Sequence, residues 1–498
     1  NTGDKNTYIG YKAGGNPGAK ITGENNLVVG PYSGYNLTGG ARNLIVGGGS
    51  SQRSTGRQLT TGSDNTLLGN NAGAFLVSGN KNTLLGYQAG FGIAGSASHN
   101  VAIGSNSGAG ASGTGTGDGN INIGAGAGNN QTTGSHNVGI GTDAGLNSTE
   151  NSRNVNIGYQ SGYLGTTGSD DNVHIGTEAG YNSSGSKNMF TGYRAGYNNT
   201  SGNDNLFMGN KAGYQNTTGN KNIGIGYETG YTNETGSKNI LIGDEAGRDG
   251  GSAVQKNIML GSLAGKNNSG SKNIFIGSSD SDTSGVGIST TGEKNIFIGS
   301  NVGIDNTSGE KNIFIGAGAG ESNTTGLENI NIGLAAGQNV SEGLRNIHIG
   351  SHTGSLVTTG DRNIMIGDRA GETTGVNVEN NIFLGEESGE NADQNNLIFI
   401  GTKAGKANTS GINNIFIGEK AGQLNTTARN NIFIGKQAGE VSVGADIGGE
   451  IIGNNIFIGT EAGKNNTSGT NNIFVGNQAG DNNTTGINNV VIGSNTMI

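Results

Sequence analysis

The chain has 498 residues, of which 100 are glycine, 31% are hydrophobic and none is cysteine or tryptophan, with a net charge of −9. That balance leaves no basic stripe to track a phosphate backbone, which argues against nucleic-acid binding. The lack of cysteine excludes a disulfide framework and thiolate metal sites, and no apolar run reaches membrane-spanning length.

From the first residues onward the chain repeats a unit of about 17 residues, Asn-x-x-Ile-Gly-x-x-Ala-Gly followed by a turn such as Asn-Thr-Thr-Gly. The glycine closing the Ile-Gly pair serves as an anchor, and about 28 anchors run from Gly10, Gly30 and Gly47 to Gly459, Gly476 and Gly493. A second glycine follows four residues later, from Gly14 to Gly480. Low-complexity disorder does not hold such phase; a fixed short period means that each unit stacks on its neighbours. The expected fold is therefore all-β, an elongated β-solenoid or β-roll of about 28 coils, read as one continuous repeat domain over residues 1–498.

One coil, Asn414 to Thr427, carries the reading. Ile415 and Ile417 share one face of a short strand and Phe416 takes the other. Gly418 ends that strand, Glu419-Lys420-Ala421 forms a second short segment, Gly422 turns again, and Asn425-Thr426-Thr427 supplies turn chemistry. Successive coils then pair as parallel ladders. An aliphatic residue precedes almost every anchor, with Thr191 and Met208 as departures, and small residues such as Ala144, Ala319 and Ala479 lie across the coil. The aliphatic pair facing these small residues is expected to fill the interior.

Asn stands four residues before the anchor in nearly every coil, including Asn26, Asn43, Asn239, Asn312, Asn414 and Asn472; before Gly401 it is displaced one place, to Asn396. An amide repeated in register bonds its own image above and below, so a structural ladder is expected. The alternative use of such a row, binding sugar or ice, is weaker, because a corner beside a buried strand must satisfy its polar groups.

With the aliphatic pair inside, the middle strand residue faces outward. It is Phe at 190, 207, 275, 297, 314, 383, 399, 416, 433, 457 and 474. A long exposed aromatic stripe marks an association surface, so Phe190, Phe207, Phe275, Phe297, Phe314, Phe383, Phe416, Phe433, Phe457 and Phe474 are expected to build a homo-oligomer. The stripe turns polar or small at Asn122, Gly139, Asn156, His174, Asn331 and His348. On a three-fold axis His174 and His348 would form rings able to hold an ion, although divergence where packing loosens is the plainer reading.

The period stretches at residues 48–68, 278–298 and 436–458, and two of these coils carry Ser51 and Ser281 where the second glycine is expected. Such insertions leave a solenoid as surface loops. The Ser278–Asp282 run lacks the glycine and terminal Glu of a calcium loop. No nucleophile–base–acid set stands out, no strand-to-helix unit follows the Gly-x-Gly strings, and no catalytic residue, cofactor site or metal site is assigned.

Units such as Asn312-Ile313-Phe314-Ile315-Gly316-Ala317-Gly318-Ala319-Gly320 resemble the left-handed β-roll heads of trimeric autotransporter adhesins and similar repeats of phage tail-fibre proteins. The resemblance spans nearly the whole chain. It implies a trimeric, non-enzymatic structural fibre or adhesin on a cell or virion surface, whose partners are its own copies and a surface or carbohydrate receptor. The unit here is longer than the usual adhesin-head repeat, and the stalk and anchor of those adhesins are missing. A subunit of a head-to-tail extracellular filament is the second expectation. An ice-binding solenoid is the third, disfavoured because Thr pairs are adjacent and interrupted, as at Thr426-Thr427.

Overall fold

The computed structural model describes residues 3–15, 18, 20–110, 114–165, 168–278, 285–375, 377–447 and 450–496. The chain resolves into two compact units, Asn1–Val254 and Gln255–Ile498. Each is a β-solenoid.

The first unit stacks fourteen three-residue strands, from Thr7–Ile9 to Ile240–Ile242. Pairing is parallel and in register, so that Met189, Phe190 and Thr191 face Leu206, Phe207 and Met208. The second unit stacks another fourteen, from Ile258–Leu260 to Val490–Ile492, with Phe416 opposite Phe433. No helix occurs among the described residues.

Only one segment per coil is a strand. The expected second segment, Glu419–Ala421, is a turn: Ala421 N–H donates to Gly418 O at 3.1 Å, and Asn425 N–H to Gly422 O at 3.0 Å. Lys420 lies at φ 59°, and a left-handed residue there ends any extended run. Ladder bonds still reach these turns, as Gln437 N–H donates to Glu419 O at 2.8 Å and Gly422 N–H to Ala438 O at 3.0 Å. Both glycines have two reasons to be glycine. A Cβ on Gly418 (φ 134°) would sit 2.5 Å from Gly435 O of the next coil; one on Gly422 (φ 56°) would sit 2.6 Å from the Phe416 ring.

That ring contact reverses the expected inside and outside of the strand. Phe190, Phe207, Phe275, Phe297, Phe314, Phe383, Phe399, Phe416, Phe433, Phe457 and Phe474 are all buried. They form the core, not an outward stripe. A three-residue strand puts one side chain on one face and two on the other. The narrow coil has room for the single middle residue, facing Ala421, and the aliphatic pair is turned outward. Stacking follows from the register: Phe383, Phe399, Phe416, Phe433, Phe457 and Phe474 form a continuous pile with centroids 4.8–5.2 Å apart and planes within 13°.

The irregular coils keep this plan. In 48–68 the glycine that covers the core side chains is not lost but shifted to Gly56 (φ 57°), where a Cβ would sit 2.8 Å from Leu67 Cδ1 and 3.4 Å from Ile45 Cδ1. In the coil spanning 278–298 Gly287 does the same against Phe275. Ser279–Asp282 lie outside the described residues. The insert in 436–458 is a short antiparallel pair, Ala445–Ile447 with Glu450–Ile452.

Candidate functional site

The asparagine column lies inside the coil corner. Asn43 donates its backbone N–H and its amide to Asn26 Oδ1, each at 2.9 Å, while Asn26 Nδ2 reaches across to Gly40 O at 2.8 Å. In the second unit Asn312 N–H donates to Asn295 Oδ1 at 3.0 Å and its amide to Gly326 O at 2.7 Å. Asn239, Asn414 and Asn472 are built in alike: Asn239 and Asn472 donate to Asn222 and Asn455, and Asn414 accepts from Asn431. The position needs an acceptor and a donor on one short stem, which an amide has and a carboxylate lacks. Before Gly401 the column is taken by Leu397, whose N–H still donates to Asn381 Oδ1 at 2.9 Å, while Asn396 sits outside it at φ 60°. Because these amides face the interior, none of them is a surface for sugar or ice.

A second interior column was hidden in the turns. Seven residues after the anchor, Asn199, Asn216, Asn306, Asn323, Asn466 and Asn483 are buried, and Asn216 Nδ2 donates to Asn199 Oδ1 at 2.7 Å. Leu37, Leu76, Val340 and Val357 occupy the same place in other coils. That exchange of Asn with Leu or Val was the available signal of burial, obscured because Asn-Thr-Thr also reads as turn chemistry.

The polar interruptions of the Phe column are likewise internal. His174 Nδ1 pairs with Asn156 Oδ1 and His348 Nδ1 with Asn331 Oδ1, each at 2.9 Å. The acceptor oxygen puts the proton on Nδ1. Burial pushes His174 down to about 3 and His348 down to about 4, because the charged form loses its water. Each ring points into its own coil, so His174 and His348 cannot form ion rings on an axis between chains. No group of three or more His, Cys, Asp or Glu able to hold a metal occurs among the described residues. His352, in a turn, pairs its Nδ1 with Ser351 Oγ at 2.9 Å.

What each unit offers outward is the aliphatic pair. Ile140, Ile175 and Ile242 in the first unit are 36–38% exposed, and so are Ile366, Ile434 and Ile458 in the second. The rows are straight because strand register repeats without slip. Ion pairs gather beside the turns. Glu387, 8% exposed, is ringed by Arg369, Lys403 and Lys406, which hold its carboxyl below the usual range, the Lys406 hydrogen bond foremost. Glu228 likewise joins Lys211 at 3.0 Å and Arg248 at 3.1 Å.

No protein-family model matches the chain, and no curated protein matches it. No described helix is long and apolar enough to cross a membrane. Each unit thus presents regular rows of partly exposed aliphatic side chains along its sheet.

Proposed function

We propose that this chain is a non-enzymatic structural fibre or adhesin segment of a cell or virion surface, and that its copies pack as a homotrimer. One observation supports the reading: two rows of aliphatic side chains run along the sheet of each unit and remain partly exposed. Two such side chains per coil over fourteen coils leave on the order of a thousand Å² of apolar surface per unit, more than the few hundred Å² usual on a monomer. That is also about what one partner contributes to a stable interface. The resemblance of the repeat to trimeric adhesin heads favours three copies over two. The interface runs along Ile140 and Ile175 in one unit and Ile366 and Ile434 in the other, not along the buried Phe column.

Light scattering on the purified chain tests this. The expected mass is three times the 50.0 kDa of one chain. A single-chain mass at micromolar concentration refutes it.

A further inference from the structure

One stretch of the first unit departs from the monotony of the repeat. Eight of the chain's 13 tyrosines lie between Tyr159 and Tyr231. Five of them, Tyr163, Tyr181, Tyr197, Tyr214 and Tyr231, stand five residues after their anchors and stack with centroids 4.9–5.2 Å apart and planes within 16°. In the second unit that place holds no tyrosine and is mostly charged or amide, as at Lys266, Glu321, Gln338, Glu372, Lys406 and Glu440. Since the rings cover one another's faces, the ladder presents ring edges and a row of phenol hydroxyls.

The residues that follow these tyrosines, together with Asn147 and Thr149 after Leu146, line a groove along the same coils. One part, about 650 Å³, is bounded by Asn147, Thr149, Leu164, Asn182, Ser184 and Thr200. A second, about 390 Å³, meets it at Thr200 and continues past Asn198, Gln215 and Thr217 to Glu234. The groove is shallow and open; its polar side chains are amides and hydroxyls, with one carboxylate at the far end and no cation, while Leu164 and the stems of its neighbours make the larger part mainly apolar. A charged polymer would find no countercharge there, whereas a neutral polar chain would find donors and acceptors at every coil. Thr200 and Thr217 spend their protons on Thr217 O and Glu234 O, at 3.1 and 3.0 Å, which leaves their oxygens free to accept. Coils rise by about 4.8 Å, so the groups recur at a pitch comparable to the length of one sugar ring in an extended chain.

We propose that this groove binds an extended, uncharged polysaccharide lying along the coil stack. Asn182, Asn198, Gln215, Thr200 and Thr217 bond successive sugar hydroxyls, and Leu164 receives a C–H face. The proposal rests on the reading of the chain as a surface adhesin segment and names the receptor chemistry of that segment. Each contact is weak alone, so affinity grows with the number of coils spanned.

Calorimetric titration of the full chain with cellohexaose, chitohexaose and linear mannohexaose, with cellobiose and a heparin hexasaccharide as comparisons, tests it. At least one neutral hexasaccharide is expected to bind ten-fold or more tighter than cellobiose. Ser184→Arg, which fills the groove, and independently Asn198→Ala with Gln215→Ala should each weaken that binding at least ten-fold. Thr426→Arg, at the corresponding place in the second unit, should leave it unchanged. Unaltered circular dichroism and mass establish that the variants fold. No neutral hexasaccharide binding, binding indifferent to both groove variants, or preference for heparin overturns the proposal. The fibre reading is judged separately, by mass.

Discussion

Replacing Phe416 with Ala tests which side of the strand is the core. The ring is buried and stacks on Phe399 at 4.9 Å and Phe433 at 4.8 Å, with Gly422 closed over it. Truncation of a buried Phe costs about 3–5 kcal/mol, and the two lost stacking contacts place this site toward the upper end. In a solenoid that loss is felt by neighbouring coils rather than by one global transition, so a single melting temperature is the wrong readout. Hydrogen exchange followed by mass spectrometry on peptides spanning 398–434 resolves it. A local loss of about 4 kcal/mol accelerates exchange by about three orders of magnitude. Ile417→Ala, in the outward row beside Ile434, should cost about 2 kcal/mol even with a partner covering that row, and accelerate the same peptides by about thirty-fold. Equal or greater acceleration from Ile417→Ala would refute the placement of the Phe column inside.

Asn312→Leu orphans the Gly326 carbonyl and the Asn329 N–H, which now bond its amide and oxygen at 2.7 and 2.9 Å. At about 1–3 kcal/mol for each orphan, exchange of coils 296–332 should quicken at least thirty-fold. Acidification should loosen the coils around His348. Its folded pKa lies below its unfolded one, so stability is complete above pH 6.5 and is lost as pH falls toward about 4, by about 3 kcal/mol in total. His348→Phe should remove that dependence in exchange measured at pH 7 and pH 4. Ile366→Asp together with Ile434→Asp should shift the light-scattering mass from three chains toward one, whereas Thr427→Asp should leave it unchanged.

Much of the architecture was legible in the residues. The phase of Gly418 and Gly422 announces stacked coils, because a Cβ at either place would strike the backbone of the next coil or the Phe416 ring. The alternation Ile415-Phe416-Ile417 locates a strand, and Asn414 announces a ladder, because an amide in register bonds its image. Leu397 shows how far that rule bends: in a coil of 16 residues rather than 17 it stands at the ladder place itself, while Asn396 takes the left-handed position before it.

Periodicity alone could not decide which way the strand faces. Alternation is symmetric under exchange of inside and outside, and both sets of this strand are apolar. Two Ile against one Phe reads equally well either way until the width of the coil is known. The turn at Lys420 and the glycine over Phe416 set that width, and only one large side chain per strand fits within it. The same closure draws Asn199 and Asn216 from an apparent surface turn into the core. It also confines His174 and His348 to a single chain. Local chemistry in the chain thus determined the repeat, the turns and the register, while the closed cross-section decided which columns are buried and which are offered to a partner.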